Sequence, residues 1–220
     1  MAWHCKNTYG YLKESTEAHD NALMAWSIMQ SLGWSLLAFC ALWANVDAES
    51  AYNPWRWQYE NILPVGSPDI EIQNGHAYGL CQWDPAGKYI NGGVGYAGYG
   101  PNYSNQTGSQ NDGNAQMYYL EATAVSSGQY WYPNPYHPEY NISYDNFKLM
   151  TYPAYSYDYA TRAWFWNYER GTWNTDRSAI CAYWYQELSG IMPPPPPPPQ
   201  NIPIWLLFKI KKRNEGSDLI

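Results

Sequence analysis

Two carboxylates, Asp47 and Glu49, stand where an apolar run gives out: "SLLAFCALW" (residues 35–43) leads directly into "ANVDAESAYNPWRW" (residues 44–57). A core helix has no use for them, so their position asks for a chemical explanation. A glutamate in the last turn of a buried helix lies at the negative end of the helix dipole and against apolar walls, and both disfavour its charged form. Set among Trp43, Tyr52, Trp55 and Trp57, Glu49 is then a carboxyl group that keeps its proton near neutral pH. That is the property required of the general acid in cleavage of a glycosidic bond. The residues alone equally permit a plainer role, in which Glu49 caps the next turn or pairs with Arg56. Asp47, two positions earlier, points to another side of a helix and is expected as a solvated or capping group.

Glycoside hydrolysis needs a second carboxylate, about 6.5–9.5 Å away for inversion or about 5–5.5 Å for retention, whereas a lytic transglycosylase dispenses with it because the substrate's own 6-hydroxyl attacks. Glu60, Asp69 and Glu71 are the candidates, and Glu60 is favoured because it follows Glu49 closely enough to face it across a short turn. "AYGLCQW" (residues 77–83) is expected to floor the cleft. Gly79 lets the backbone approach closely, Gln82 offers an amide to N-acetyl or hydroxyl groups, and Tyr78 and Trp83 offer faces for stacking. Trp57 is a further aromatic contact, and Gln116 and Tyr119, one helical turn apart, line the opposite wall. Plain core packing accounts for Trp83 equally well. Glu169 with Arg170 is expected as a structural ion pair. A rival chemistry uses Cys81 as nucleophile and His137 as its base, oriented by Glu139 or Asn141, for amidase or endopeptidase activity.

These groups must be held by a fold that the composition constrains. Of 220 residues 45% are hydrophobic, enough for one substantial core, while charged residues make up only 14%, against an average of about 25%. Aromatics reach 18%, with 13 Trp and 23 Tyr, so the polar surface is built from Asn, Gln, Ser, Tyr and Gly and suits neutral, hydroxyl-rich ligands. A net charge of −7 excludes nucleic acid as the main partner, because phosphate neutralisation needs clustered Lys and Arg. Cys5, Cys40, Cys81 and Cys181 show no CxxC spacing and are expected as buried thiols, His4, His19, His76 and His137 are isolated, and no metal or other cofactor is implied.

Helical spacing of Ala22, Ala25, Trp26, Met29 and Leu32, with Ser15, Thr16 and Asp20 as capping candidates and Gly33 beyond, predicts a first helix. Ser35 caps a second, apolar on nearly every face over residues 36–46 and therefore surrounded by protein, yet far shorter than the ~20 residues of a membrane span. Prolines and glycines break residues 52–83 into a hairpin-rich lobe with a small strand at Asp69–Ile72. A long loop over 87–113 follows, then helices over 113–125, 159–171 (stopped by Gly171) and 176–188, with a Tyr- and Pro-rich loop reaching about Tyr157. The class is α+β, mainly α, with a buried central helix. Residues 1–190 form the domain, 191–200 a polyproline linker containing Pro193 to Pro199, and 201–220, with "IPIWLLFKIKKR", an apolar and basic tail segment.

The stretch from "NTYGYLKES" (residues 7–15) through "ESAYNPWRWQ" (49–58), followed by "AYGLCQWDPAGKYI", resembles the phage tail lysozyme family of the lysozyme-like superfamily. The likeness is carried by Gly33-Trp34 before the buried helix, by Asn45, Glu49, Ser50, Asn53 and Pro54, and by "YGLCQW"; "AQMYYL" and "AWFWNYERG" resemble the family's later helices, so it covers roughly residues 7–188. Where the family often has glycine before the motif's Asn, this chain has Ala44. The resemblance implies a lysozyme-like fold whose central helix and β-hairpin lobe flank a glycan cleft, with Glu49 in the position of the catalytic acid. It implies a muramidase-type hydrolase, or a lytic transglycosylase, acting on peptidoglycan glycan strands. A non-catalytic structural or glycan-binding tail component with the same fold is the remaining alternative. "MAWHCKNTYGYLKES" has no apolar stretch of a signal peptide. The expected route is therefore synthesis in the host cytoplasm, assembly into the virion tail through contacts of the C-terminal segment with other tail proteins, and action at the bacterial wall. The sequons at Asn102, Asn105 and Asn141 have no role on that route.

Overall fold

Ser15 ends an extended lead-in and accepts a hydrogen bond from the Ala18 N–H, so helix α1 (Thr16–Ser31) starts with a side-chain cap. Gly33 closes it at φ +87°, in the left-handed region that favours glycine. Two residues later Ser35 accepts from the Ala38 N–H at 3.2 Å and opens α2 (Leu36–Ser50). The computed structural model describes residues 2–6, 9–58, 77–84, 89, 111–125, 130–173 and 176–191. Beyond α2 its elements are α3 (Asn111–Val125), a short 3-10 turn Pro138–Tyr140, α4 (Tyr144–Lys148), α5 (Tyr157–Trp164), a π turn Phe165–Glu169 and α6 (Ser178–Leu188).

The uniform apolarity of α2 has the expected consequence: every residue from Leu37 to Val46 is buried. The helix packs against α6, α5, α1 and α4, while α1 carries α3 on another side. An aromatic series runs along it: Phe39 stacks on Trp43 at 5.6 Å, Trp43 meets Tyr52 at 5.5 Å, and Tyr52 meets Trp184 of α6 edge-on at 5.4 Å. Each such fully buried ring contributes about 1.5–3 kcal/mol of transfer free energy. Much of the tryptophan content is spent this way, with Trp43, Trp164 and Trp184 entirely enclosed. Between α3 and α4, buried Glu121 accepts from Lys148 Nζ at 2.6 Å and Trp34 Nε1 at 2.8 Å, and also from the Tyr144 hydroxyl.

The described residues are thus mainly helical, in keeping with a mainly α lysozyme-like fold, and no helix among them is long and apolar enough to cross a membrane. Three boundaries differ from expectation. The helix expected over 159–171 starts at Tyr157, turns to π geometry after Trp164, and ends at Arg170, which takes the left-handed conformation (φ +59°) expected of Gly171. The last helix starts at Ser178, because Asp176 is used outside it, accepting from the Ser178 N–H at 2.9 Å. Short α4, capped by Ser143, falls inside the expected Tyr/Pro loop. Of the hairpin-rich lobe, the described residues contain only isolated antiparallel bridges, Trp57 with Tyr78 and Tyr78 with Trp83. The strand Asp69–Ile72, His76, the sequons at Asn102 and Asn105, Pro193–Pro199 and residues 201–220 lie outside the described residues.

Candidate active site

Helix α2 ends abruptly. Its cap Ala51 (φ +45°) and the next residue Tyr52 (φ +63°) are both left-handed, at about 1–2 kcal/mol each for residues with a Cβ. The exit is pinned by the Ala51 N–H donating to Asp47 O at 2.9 Å, and by the Tyr11 N–H donating to Ala51 O at 2.7 Å. Asn53 then ties the turn to the N-terminal segment through the Lys6 backbone. The reversal exposes one face of the last turn of an otherwise enclosed helix, and that face carries Asp47, Ala48 and Glu49.

Opposite stands the turn Tyr78–Trp83, closed by reciprocal backbone bonds of 3.2 and 3.0 Å between its ends. Gly79 (φ +84°) and Gln82 (φ +44°) supply its left-handed positions. A Cβ on Gly79 would lie 2.7 Å from Gln116 Oε1, so the glycine is required for both conformation and space. Together these elements enclose an open cleft of about 580 Å³. Asp47, Ala48 and Glu49 come from α2, Cys81, Gln82, Trp83 and Asp84 from the turn, Phe165, Tyr168, Glu169 and Arg170 from the π turn and its exit, and Tyr9, Tyr130, Gly171, Thr172 and Arg177 complete it.

Arg177 organises the electrostatics. Its side chain is only 4% exposed; Nη1 donates to Glu169 Oε2 at 2.6 Å and to Asn45 Oδ1, while Nη2 reaches Glu49 Oε1 at 3.4 Å. The second oxygen of Glu169 accepts from Trp164 Nε1 at 2.9 Å. Burial, and then the charge of Glu49, push the Glu169 carboxyl up to about 8 against the opposing pull of Arg177 and Trp164. Burial also raises Asp47, against a hydrogen bond from Tyr52, whose hydroxyl accepts from Trp184 Nε1 at 2.9 Å. The Cys81 thiol is pushed well up by burial and by the charges of Glu169 and Glu49.

The expected site residues divide sharply. Glu49, Gln82 and Trp83 line the cleft. Both donors of the Gln82 amide are committed, to Arg56 O at 3.0 Å and Gly79 O at 2.9 Å, which leaves its carbonyl for a ligand. Trp83, only 4% exposed, donates to the Tyr168 hydroxyl at 3.2 Å and is wall as much as core. Tyr78 is enclosed, its ring between Trp57 at 4.5 Å and Tyr89 at 6.1 Å, and neither Tyr78 nor Trp57 lines the cleft. Gln116 is wholly buried and works as a pin, accepting from the Leu80 N–H and donating to Pro54 O, both at 2.7 Å; Tyr119 is buried against Trp83. Gln116→Leu leaves both backbone groups unmet, and we expect a loss of about 1–3 kcal/mol in urea-unfolding stability.

Other expectations are corrected. Trp43, Tyr52, Trp55 and Trp57 do not form the wall beside Glu49, since the core takes the first two and the aromatic lining comes from Tyr9, Trp83, Tyr130, Phe165 and Tyr168. Asp47 is not simply solvated but shares the cleft. Glu49 pairs with Arg177, not Arg56, whose guanidinium lies over the Tyr9 ring at 3.9 Å. Glu169 pairs with Arg177, not Arg170, whose guanidinium lies over Tyr132 at 4.8 Å. His137 stacks on Trp166 at 3.8 Å and meets Glu139 at 3.3 Å, while Asn141 bonds the Asn134 backbone; none of these lines the cleft that holds Cys81. Cys40, Cys81 and Cys181 are buried as expected, whereas Cys5 is only half-buried. Glu60, Asp69 and Glu71 lie outside the described residues. Arg177 escaped the sequence reading altogether. Its signal was a cation at a helix start, where the dipole favours a carboxylate.

Residues 20–188 match the family model described as phage tail lysozyme. Morphogenesis protein 1 of Bacillus phage B103 is 34% identical over 89 residues, which are 40% of this chain and 21% of that protein. The chain therefore spans about a fifth of the length of this curated relative.

Proposed function

The chain belongs to the phage tail lysozyme family, and on that footing we propose that it is a muramidase-type glycoside hydrolase with Glu49 as general acid, cutting the glycan strand of peptidoglycan during infection. The observation that carries the reading is the placement of Glu49: a carboxyl group, its side chain 26% exposed, at the one open turn of a buried helix, in a cleft lined by aromatic rings and backed by a buried arginine. Protonation of the leaving oxygen is the task such a group performs. Glu60 is proposed as the partner carboxylate of the hydrolytic mechanism. Residues 201–220 are proposed to dock the domain onto other tail proteins, with the prolines before them as a semi-rigid spacer of about 3.1 Å per residue.

Digestion of purified peptidoglycan with mass analysis of the fragments tests the reading directly. New reducing ends establish hydrolysis, anhydro ends establish transglycosylation with the substrate's hydroxyl as nucleophile, and an untouched glycan establishes a structural or binding role. Released peptides would point to Cys81. Its thiol, however, is held protonated by burial and by two neighbouring carboxylates, and His137 is engaged elsewhere. We expect Cys81→Ala to cleave within about twofold of the parent rate, since no proton or bond of the glycosidase chemistry passes through it.

A further inference from the structure

A general acid beside an arginine poses a problem, because a guanidinium favours the carboxylate form of its neighbour. The geometry around Arg177 contains an answer. Its short bond, 2.6 Å, goes from Nη1 to Glu169, whereas Nη2 meets Glu49 only at 3.4 Å. Asn45 fixes the guanidinium without adding charge, being itself anchored by donation to Ala41 O at 2.7 Å and Thr161 O at 3.3 Å. The cation is thus already matched from behind by a carboxylate whose side chain is 8% exposed.

We infer that Glu169 is a positioning residue for the proton donor: by taking the short bond of Arg177 it keeps that cation from Glu49, and the two carboxylates joined through the arginine take up one proton as a pair. The inference rests on Glu49 being the general acid. Two carboxylates and one guanidinium sum to a charge of −1, and uptake of one proton by the coupled pair brings the sum to zero. The two oxygens of Glu169 accept from Arg177 and Trp164, bonds that favour its ionised form. Glu49 meets the arginine only through the longer contact and faces the opening. The charge of Glu49 pushes the Glu169 carboxyl up, so the two acids are coupled across the arginine.

The surrounding charges act in the same direction or are spent. Asp47 and Asp84 add negative potential that holds the proton, Arg170 lies over Tyr132, and burial keeps Cys81 and Tyr168 protonated. In Glu169→Gln the pair is gone and the whole charge of Arg177 falls on Glu49.

The test is the pH profile of peptidoglycan cleavage by the full chain. Glu169→Gln should move the alkaline limb down by about one pH unit, a tenfold change in the proton-bearing fraction, with the acid-side rate within a few-fold of the parent. Glu169→Asp, which keeps the charge, should return the limb toward the parent position. A limb that stays in place, or a uniform loss at all pH values with the fold intact, overturns the inference. Carbon-13 titration of the glutamate carboxyls provides a readout that needs no activity: in Glu49→Gln the Glu169 carbon should titrate as a single step at lower pH than in the parent. An unchanged Glu169 titration in that variant overturns the coupling. A Glu49→Gln variant that still cleaves at the parent rate removes the general-acid reading, whatever the titration shows.

Discussion

Replacing Glu49 by glutamine should lower peptidoglycan cleavage by about 10²–10⁴-fold, the usual contribution of a positioned proton donor, and should leave the fold and glycan binding unchanged. The amide has the size of the carboxyl but no proton to give the leaving oxygen. The folding cost is small because, among the described residues, Glu49 has one ion pair, the 3.4 Å contact with Arg177, and its side chain is already 26% exposed. Three measurements separate the effects: release of soluble fragments from purified peptidoglycan, circular dichroism, and co-sedimentation with insoluble wall. Loss of sedimentation together with cleavage would mean that Glu49 binds rather than reacts. A fully active Glu49→Gln beside an inactive Cys81→Ala would transfer the chemistry to the thiol.

The helical frame was legible because its signals are local. Ser15 and Ser35 act within three residues of themselves, and the all-round apolarity of residues 36–46 can only mean enclosure by other helices. Glu49 was legible for the same reason, since a carboxylate at the end of such a helix is out of place on local grounds. The walls of the site were not. Hydrophobic pattern says that Tyr78, Trp57 and Tyr119 prefer burial but not whether a cleft or the core receives them, and the core received them through rings more than 20 residues away in sequence, Tyr78 on Trp57 and Tyr119 on Trp83. Gln116 looked like a ligand contact because an amide can serve sugar or backbone alike; two buried backbone groups, Leu80 N–H and Pro54 O, took it. The π turn matters most. A regular helix from Tyr157 onward would place Glu169 differently, and nothing in the spacing of "AWFWNYERG" marks the change of pitch that carries this side chain to an arginine 8 residues on and a glutamate 120 residues back.

That arginine gives the second large effect. Arg177→Met removes the cation that touches Glu169 among the described residues and leaves the Asn45 carbonyl without its donor, and breaking a buried pair from one side costs about 3–5 kcal/mol where the carboxyl is ionised. The loss is pH-dependent with a defined sign. The Glu169 carboxyl is raised in the folded protein to about 8, from about 4.3 in an unfolded chain, so the folded form binds the extra proton. Its stability is therefore greatest at acid pH and declines as pH rises through that window. Removing Arg177, which pulls this carboxyl down, pushes it higher still and extends the decline to higher pH. Urea unfolding of Arg177→Met should show a steady deficit up to about pH 6 and fall furthest below the parent near about pH 9. Adding Glu169→Gln in the same chain should restore most of the extra loss at about pH 9, since a neutral amide needs no counter-charge. A deficit that is the same at both pH values, and that the second change does not relieve, would mean that Arg177 stabilises the domain through its packing on Phe165 and Trp173, at 4.8 and 5.4 Å, rather than through the two carboxylates.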